Sequence, residues 1–101
     1  MGASKKDFFH QNQNTIATLC NAFGHPARVL IIEYLLYNNQ CICEELMEFI
    51  PLSRTTIWDH LKKLEKARLI RGRFKNNTHS FELDSPILEQ VKSYFENINR
   101  L

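Results

Sequence analysis

Leu52-Ser53-Arg54-Thr55-Thr56-Ile57-Trp58-Asp59-His60-Leu61-Lys62-Lys63-Leu64 sets the architecture of this 101-residue chain. At about 100° per residue, Ile57, His60, Leu61 and Leu64 fall on one face of a helix. Thr55, Asp59, Lys62 and Lys66 fall on the opposite face, with Trp58 and Lys63 on its flanks. Ser53 stands where an N-cap hydroxyl is wanted, so the helix is expected to run from there to about Lys66. Just upstream, Pro51 disfavours helical geometry at Ile50, and the chain must turn. Before that turn Ile42, Leu46, Phe49 and Ile50 form a stripe that predicts a short helix over about 43–49. Helix, short turn, helix is the helix-turn-helix spacing.

Downstream, the period changes from helical to alternating. Ile70, Gly72 and Phe74 alternate with Arg71, Arg73 and Lys75, as on a half-solvated strand. Asn76-Asn77 follows, and asparagine tolerates the positive φ angles of a tight hairpin. Phe81 and Leu83, alternating with Ser80 and Glu82, supply the return strand. A two-stranded hairpin directly after a helix-turn-helix is a wing.

Upstream, Val29, Leu30, Ile31, Ile32, Leu35 and Leu36 make a helix over about 26–37 that is apolar on most sides, hence a core helix. Pro26 suits its first position, and Asn38-Asn39 ends it. A first helix is expected over about 6–23, with Ile16, Leu19, Cys20 and Phe23 on one stripe. The last, about 86–99, has Ser85 as cap, Pro86 at its first position, and Ile87 or Leu88, Val91, Phe95 and Ile98 as its stripe. The fold class is therefore mainly α with a small β-hairpin: a winged helix-turn-helix of about five helices plus a two-stranded wing, in one domain over 1–101. The first and last helices carry more apolar surface than one small core can cover, and pairing with a second copy is the simplest remedy.

Charge is concentrated. Residues 53–75 hold eight of the 13 basic side chains against Asp59 and Glu65, a net of +6, while the remainder has five basic and nine acidic residues, a net of −4. That polarity suits one surface facing a polyanion, although a solvated charged face gives the same count. On duplex DNA, Arg54 in the helix's first turn can grip guanine O6 and N7, and Thr55 can meet a base edge or thymine methyl. Ser53 and Thr56 belong to the same turn. Lys62, Lys63 and Lys66 suit phosphates, and Arg73, Lys75, Asn76 and Asn77 can reach an adjacent minor groove or its backbone. Trp58 either stacks on a sugar or folds back over the third helix, the commoner fate of a large aromatic. Asp59 either accepts from a cytosine amine or pairs with Lys62 or Lys63, the commoner arrangement.

Other classes lack their signatures. There is no glycine-rich phosphate loop, nucleophile elbow or paired-carboxylate constellation, so no enzyme and no cofactor is expected. Three cysteines cannot all pair internally and nothing resembles a secretory signal, which points to free thiols in the cytoplasm. The run Val29–Leu36 is broken by Glu33 and is too short for a membrane. His10, His25 and His79 have no metal-ligand spacing and read as structural.

Gly24-His25-Pro26-Ala27-Arg28, Cys41-Ile42-Cys43-Glu44-Glu45-Leu46, the quoted helix and Ala67-Arg68-Leu69-Ile70 together resemble the ArsR family of bacterial winged-helix regulators. The resemblance runs over about 16–98, and Ser-x-x-Thr-hydrophobic-x-x-His-Leu-Lys-x-Leu is its most specific part. It implies a homodimer joined through the first and last helices that binds an imperfect inverted-repeat operator, and usually a repressor released by an inducer whose identity the sequence does not give. In this pattern His60 is a packing residue. Cys41-x-Cys43 matches the start of the family's arsenic-sensing thiolate motif, but its third thiolate would fall at Leu46. Only Cys20 is left to complete a soft-metal set, and the last helix has no histidine for a zinc site. The expectation is no metal, with Cys41, Cys43 and Cys20 as the alternative ligand set. Two other readings share the fold: a thiolate-dependent metal- or metalloid-responsive repressor, and a winged-helix module whose basic face meets an acidic protein.

Overall fold

The computed structural model describes residues 9–98. Its elements, in chain order, are α1 (Gln11–Ala22), α2 (Pro26–Tyr37), β1 (Cys41–Ile42), α3 (Cys43–Met47), α4 (Arg54–Lys66), β2 (Ile70–Lys75), β3 (Thr78–Leu83) and α5 (Ser85–Ile98). This is the expected winged helix-turn-helix. Its helix ends are set by side chains. His25 Nδ1 accepts from Ala27 N at 3.0 Å ahead of α2, Glu45 Oε1 accepts from Ile42 N at 2.8 Å at the start of α3, and Ser53 Oγ accepts from Thr56 N at 3.2 Å at the start of α4. α4 stops because Arg68 turns left-handed, at φ 67°, letting Leu69 N bond Leu64 O and Arg68 N bond Glu65 O.

Five expectations need correction. α1 begins at Gln11, since residues 9 and 10 are not helical; the expected start at 6 and the end of the last helix at 99 lie outside the described residues. Cys20 is exposed, although Ile16 and Leu19 on the same helix are buried. α2 buries only the stripe Ala27, Arg28, Ile31, Ile32 and Leu35, and Val29, Leu30 and Leu36 face outward. α3 ends at Met47, so Phe49 leaves helical phase and stacks on Tyr34 at 5.3 Å instead of joining Leu46 and Ile50 in the core. Asp84, not Ser85, caps α5: its Oδ1 accepts from Ile87 N at 3.3 Å.

The sheet has a third strand. β1 pairs antiparallel with β3, Cys41 opposite Phe81 and Ile42 opposite Ser80, giving the order β1-β3-β2. This ties the root of the wing to the residues that open α3. Between sheet and helices lies a continuous core in which Leu19, Ile31, Leu46, Ile57, Leu61, Leu64, Leu69, Ile70 and Phe81 are sealed from solvent. Three of them belong to α4, so core packing fixes which side of that helix faces out.

Candidate nucleic-acid interface

The inner stripe of α4 is the expected one, Ile57, His60, Leu61 and Leu64, all buried. His60 is more than filler. Arg28, only 7% exposed, donates from Nη1 to His60 Nδ1 at 3.0 Å and from Nε to Ala22 O at 2.6 Å. Because arginine is donor-only, Nδ1 must accept, which places the ring proton on Nε2. Burial, then the charges of His25, Arg28 and Lys63, push His60 below the ordinary histidine value, with Asp59 opposing. The signal for Arg28 was present in the sequence: it stands three and four residues before Ile31 and Ile32 on the inward stripe.

On the outward side, Arg54, Thr55, Asp59, Lys62, Lys63 and Lys66 are exposed as predicted. Arg54 is held in an ion pair with Glu44 of α3. A hydrogen bond from its own backbone N–H, and then the Arg54 guanidinium, hold the Glu44 carboxyl below the usual range. Ser53 and Thr56 share their hydroxyls, Oγ to Oγ1 at 2.9 Å, so both groups serve the cap. The expected Asp59–lysine pair does not form. Lys62 Nζ goes to Glu65 Oε1 at 2.6 Å and lies 5.6 Å from the Trp58 ring centre, and among the described residues no cation comes within ion-pair distance of Asp59.

Trp58 packs, but on the wing instead of over α3: its ring meets His79 edge-on at 4.9 Å and Phe81 at 5.7 Å. Glu65 makes a second bridge, its Oε2 accepting from Gly72 N at 3.1 Å. A Cβ on Gly72 would stand 2.6 Å from that oxygen and 2.9 Å from His79 Nε2, so the glycine is what lets helix and strand approach. At the tip, Asn76 (φ 53°) and Asn77 (φ 61°) form the two-residue turn expected of them. Lys75, Asn76 and Asn77 are exposed, and Arg73 lies 3.2 Å from Glu82. α4 and the wing are thus joined by Trp58–His79 and Glu65–Gly72, and both carry exposed basic side chains.

Cys41 and Cys43 are buried, and burial foremost pushes the Cys41 thiol up to about 12 and the Cys43 thiol upward. Such thiols are poor thiolate donors. Cys43 Sγ sits 3.8 Å from Arg54 O, while Cys20 lies exposed on α1. Among the described residues no three His, Cys, Asp or Glu side chains are grouped to hold a metal ion, and no helix is long and apolar enough to cross a membrane.

A model of the arsR family of bacterial regulatory proteins matches residues 25–71, from the cap of α2 into β2. An uncharacterized HTH-type transcriptional regulator of Methanocaldococcus jannaschii is 32% identical over 79 residues, covering 75% of this chain and 86% of that protein. The chain belongs to the ArsR family. An arsenical resistance operon repressor of Staphylococcus xylosus is 26% identical over 84 residues, 83% of this chain and 80% of the repressor. Among solved structures, HlyU of Vibrio cholerae superposes with a TM-score of 0.72 at 26% identity, covering 91% of this chain and 96% of HlyU. Like its family, this ArsR-family protein is a DNA-binding transcriptional regulator.

Proposed function

We propose that this regulator represses transcription by binding an inverted-repeat operator as a homodimer, with one α4 in each of two successive major grooves and the wings on flanking minor grooves. The observation that carries the reading is the coupling of α4 to the wing through Trp58–His79 and Glu65–Gly72, with exposed basic side chains on both elements and Arg54 at the start of α4. Dimerisation through α1 and α5 is supported by α5 itself. It has no buried residue, yet Ile87, Leu88 and Val91 are only half-covered and Phe95 and Ile98 are exposed on the same stripe. Repression is supported by the staphylococcal relatives, which are repressors of arsenical resistance operons. The protein acts by binding, in the cytoplasm, and not as an enzyme. Ser53 and Thr56 shape the first turn of α4, while Arg54 and Thr55 meet base edges. Lys62, Lys63, Lys66, Arg73 and Lys75 meet phosphates, and Asn76 and Asn77 carry the wing tip to the groove.

The test is a duplex selected from a random pool, titrated at several salt concentrations. Affinity should fall with salt at about 0.9 logarithmic units per phosphate neutralised. Arg54→Ala should cost on the order of 1–3 kcal/mol and relax the base preference at one position in each half-site. A folded dimer that retains no duplex at moderate salt would favour the protein-partner reading of the same fold.

A further inference from the structure

The wing carries an aromatic residue that the core formed by the described residues leaves open. Phe74, on β2, is 70% exposed, between Arg73 and Lys75. Its strand neighbours on the same face, Ile70 and Gly72, are buried and half-buried, so the alternation that predicts an inward Phe74 holds in direction but outruns the core. The register shows where the ring stands. Phe74 pairs with His79 and Gly72 with Phe81, and directly paired residues project from one face of a hairpin. Trp58 of α4 packs on that same face through His79 and Phe81. Phe74 therefore stands on the side of the wing that looks toward α4, directly opposite His79 and two register pairs nearer the tip than the buried Phe81.

The ring is also braced. His79 stacks on the sealed Phe81 at 4.8 Å with 11° between planes, and Phe74 meets His79 edge-on at 6.0 Å. The series Phe81, His79, Phe74 runs from the core to the open surface. An apolar ring held out toward solvent, flanked along its strand by Arg73 and Lys75 and braced on the face that meets α4, matches the chemistry of the wedges that minor-groove proteins set against sugars and between base steps. We propose that Phe74 is a DNA-contacting residue that enters the minor groove beside the segment read by α4, pressing on deoxyribose and partly unstacking one base step. Arg73 and Lys75 hold the phosphates on either side. This rests on the DNA face assigned above.

The experiment uses the full-length protein and its selected duplex, with 2-aminopurine placed in turn at each flanking position. Phe74→Ala should weaken binding about tenfold, in line with one lost aromatic–nucleotide contact. The salt dependence should stay that of the parent, because no phosphate contact is removed. Phe74→Leu should keep part of the affinity. One 2-aminopurine position per half-site should brighten on binding of the parent and stay dark with Phe74→Ala. If Phe74→Ala binds as the parent does and no position brightens, while Arg54→Ala weakens binding, the DNA face stands and the role of Phe74 is overturned. If neither variant alters binding, the DNA face itself falls, and this inference with it. If Phe74→Ala changes only self-association, the ring belongs to an interface between copies, and the proposal is equally overturned.

Discussion

α4 and α5 are both amphipathic, of 13 and 14 residues, yet they end in opposite situations. The stripe of α4 is sealed by its own chain, with Ile57, Leu61 and Leu64 at 0% exposure. The stripe of α5 is not: Phe95 keeps 47% of its surface open and Ile98 43%. A helical apolar period states that a face is to be covered, and is silent on what covers it. In α4 the cover is tertiary, so its other face is presented rigidly to a ligand. In α5 the outer half of the stripe stays open among the described residues, and in the dimer proposed above a second copy would cover it, so that the spacing between two copies of α4 would become a property of the pair.

The contrast can be broken at either helix. The largest effect is expected in α4. Leu61→Ala should destabilise the fold by roughly 2–5 kcal/mol, read as a lower urea midpoint, because a sealed site in the middle of the core cannot collapse fully around the void. In α5, Phe95→Glu should leave the helical circular dichroism unchanged and shift sedimentation equilibrium toward the monomer. Burying a large apolar side chain contributes about 1.5–3 kcal/mol, and a symmetric interface loses it from both copies. An unfolded Phe95→Glu monomer, or an unaltered dimer, would erase the distinction.

Acid sharpens the comparison, because the titrating group that tracks core packing lies in α4. His60 is held below the ordinary histidine value of 6.5, so the unfolded chain takes up a proton at a pH where the folded chain does not. Stability is complete above 6.5 and falls as pH drops through that value toward the folded one. His60→Gln, whose side-chain oxygen can still accept from Arg28, should flatten this part of the stability profile. The carboxyls of Glu44 and Glu65 are lowered from 4.5, so their contribution is present above that value and lost only below it, in a separate window. The smallest effect is expected at Glu44. Glu44→Gln frees the Arg54 guanidinium, so duplex affinity should rise slightly, and most of the gain should be lost in the Arg54→Ala background.

Much of this was legible in the sequence. The α4 stripe and the asparagine turn could be read because each depends on local geometry, a 3.6-residue period in one case and a positive φ in the other. What could not be read depends on partners distant along the chain. β1 is two residues long, too short for an alternation to show, and exists only because Phe81 and Ser80 lie opposite. The Glu44–Arg54 pair spans the turn between α3 and α4. Lys62 chose Glu65 over Asp59 because the Glu65 carboxylate is already fixed on Gly72 N, which a one-dimensional spacing rule does not see. Val29, Leu30 and Leu36 carried a hydropathy that suggested full burial, but among the described residues α2 is covered on one side only. For Phe74 the face was predicted correctly and the depth was not, since alternation gives direction and says nothing about where the core ends.

The buried Arg28 guanidinium sets a limit on how α4 can turn about its own axis. Rolling the helix by one residue's arc would carry His60 Nδ1 away and leave the buried guanidinium with Nη1 unpartnered and only its bond to Ala22 O, a cost that a purely aliphatic contact would not impose. The contact with His60 therefore works as an angular index: one setting is satisfied and its neighbours are not. The exposed side chains Thr55, Asp59, Lys62 and Lys63 can then be exchanged while the bearing of the helix stays where the core has set it.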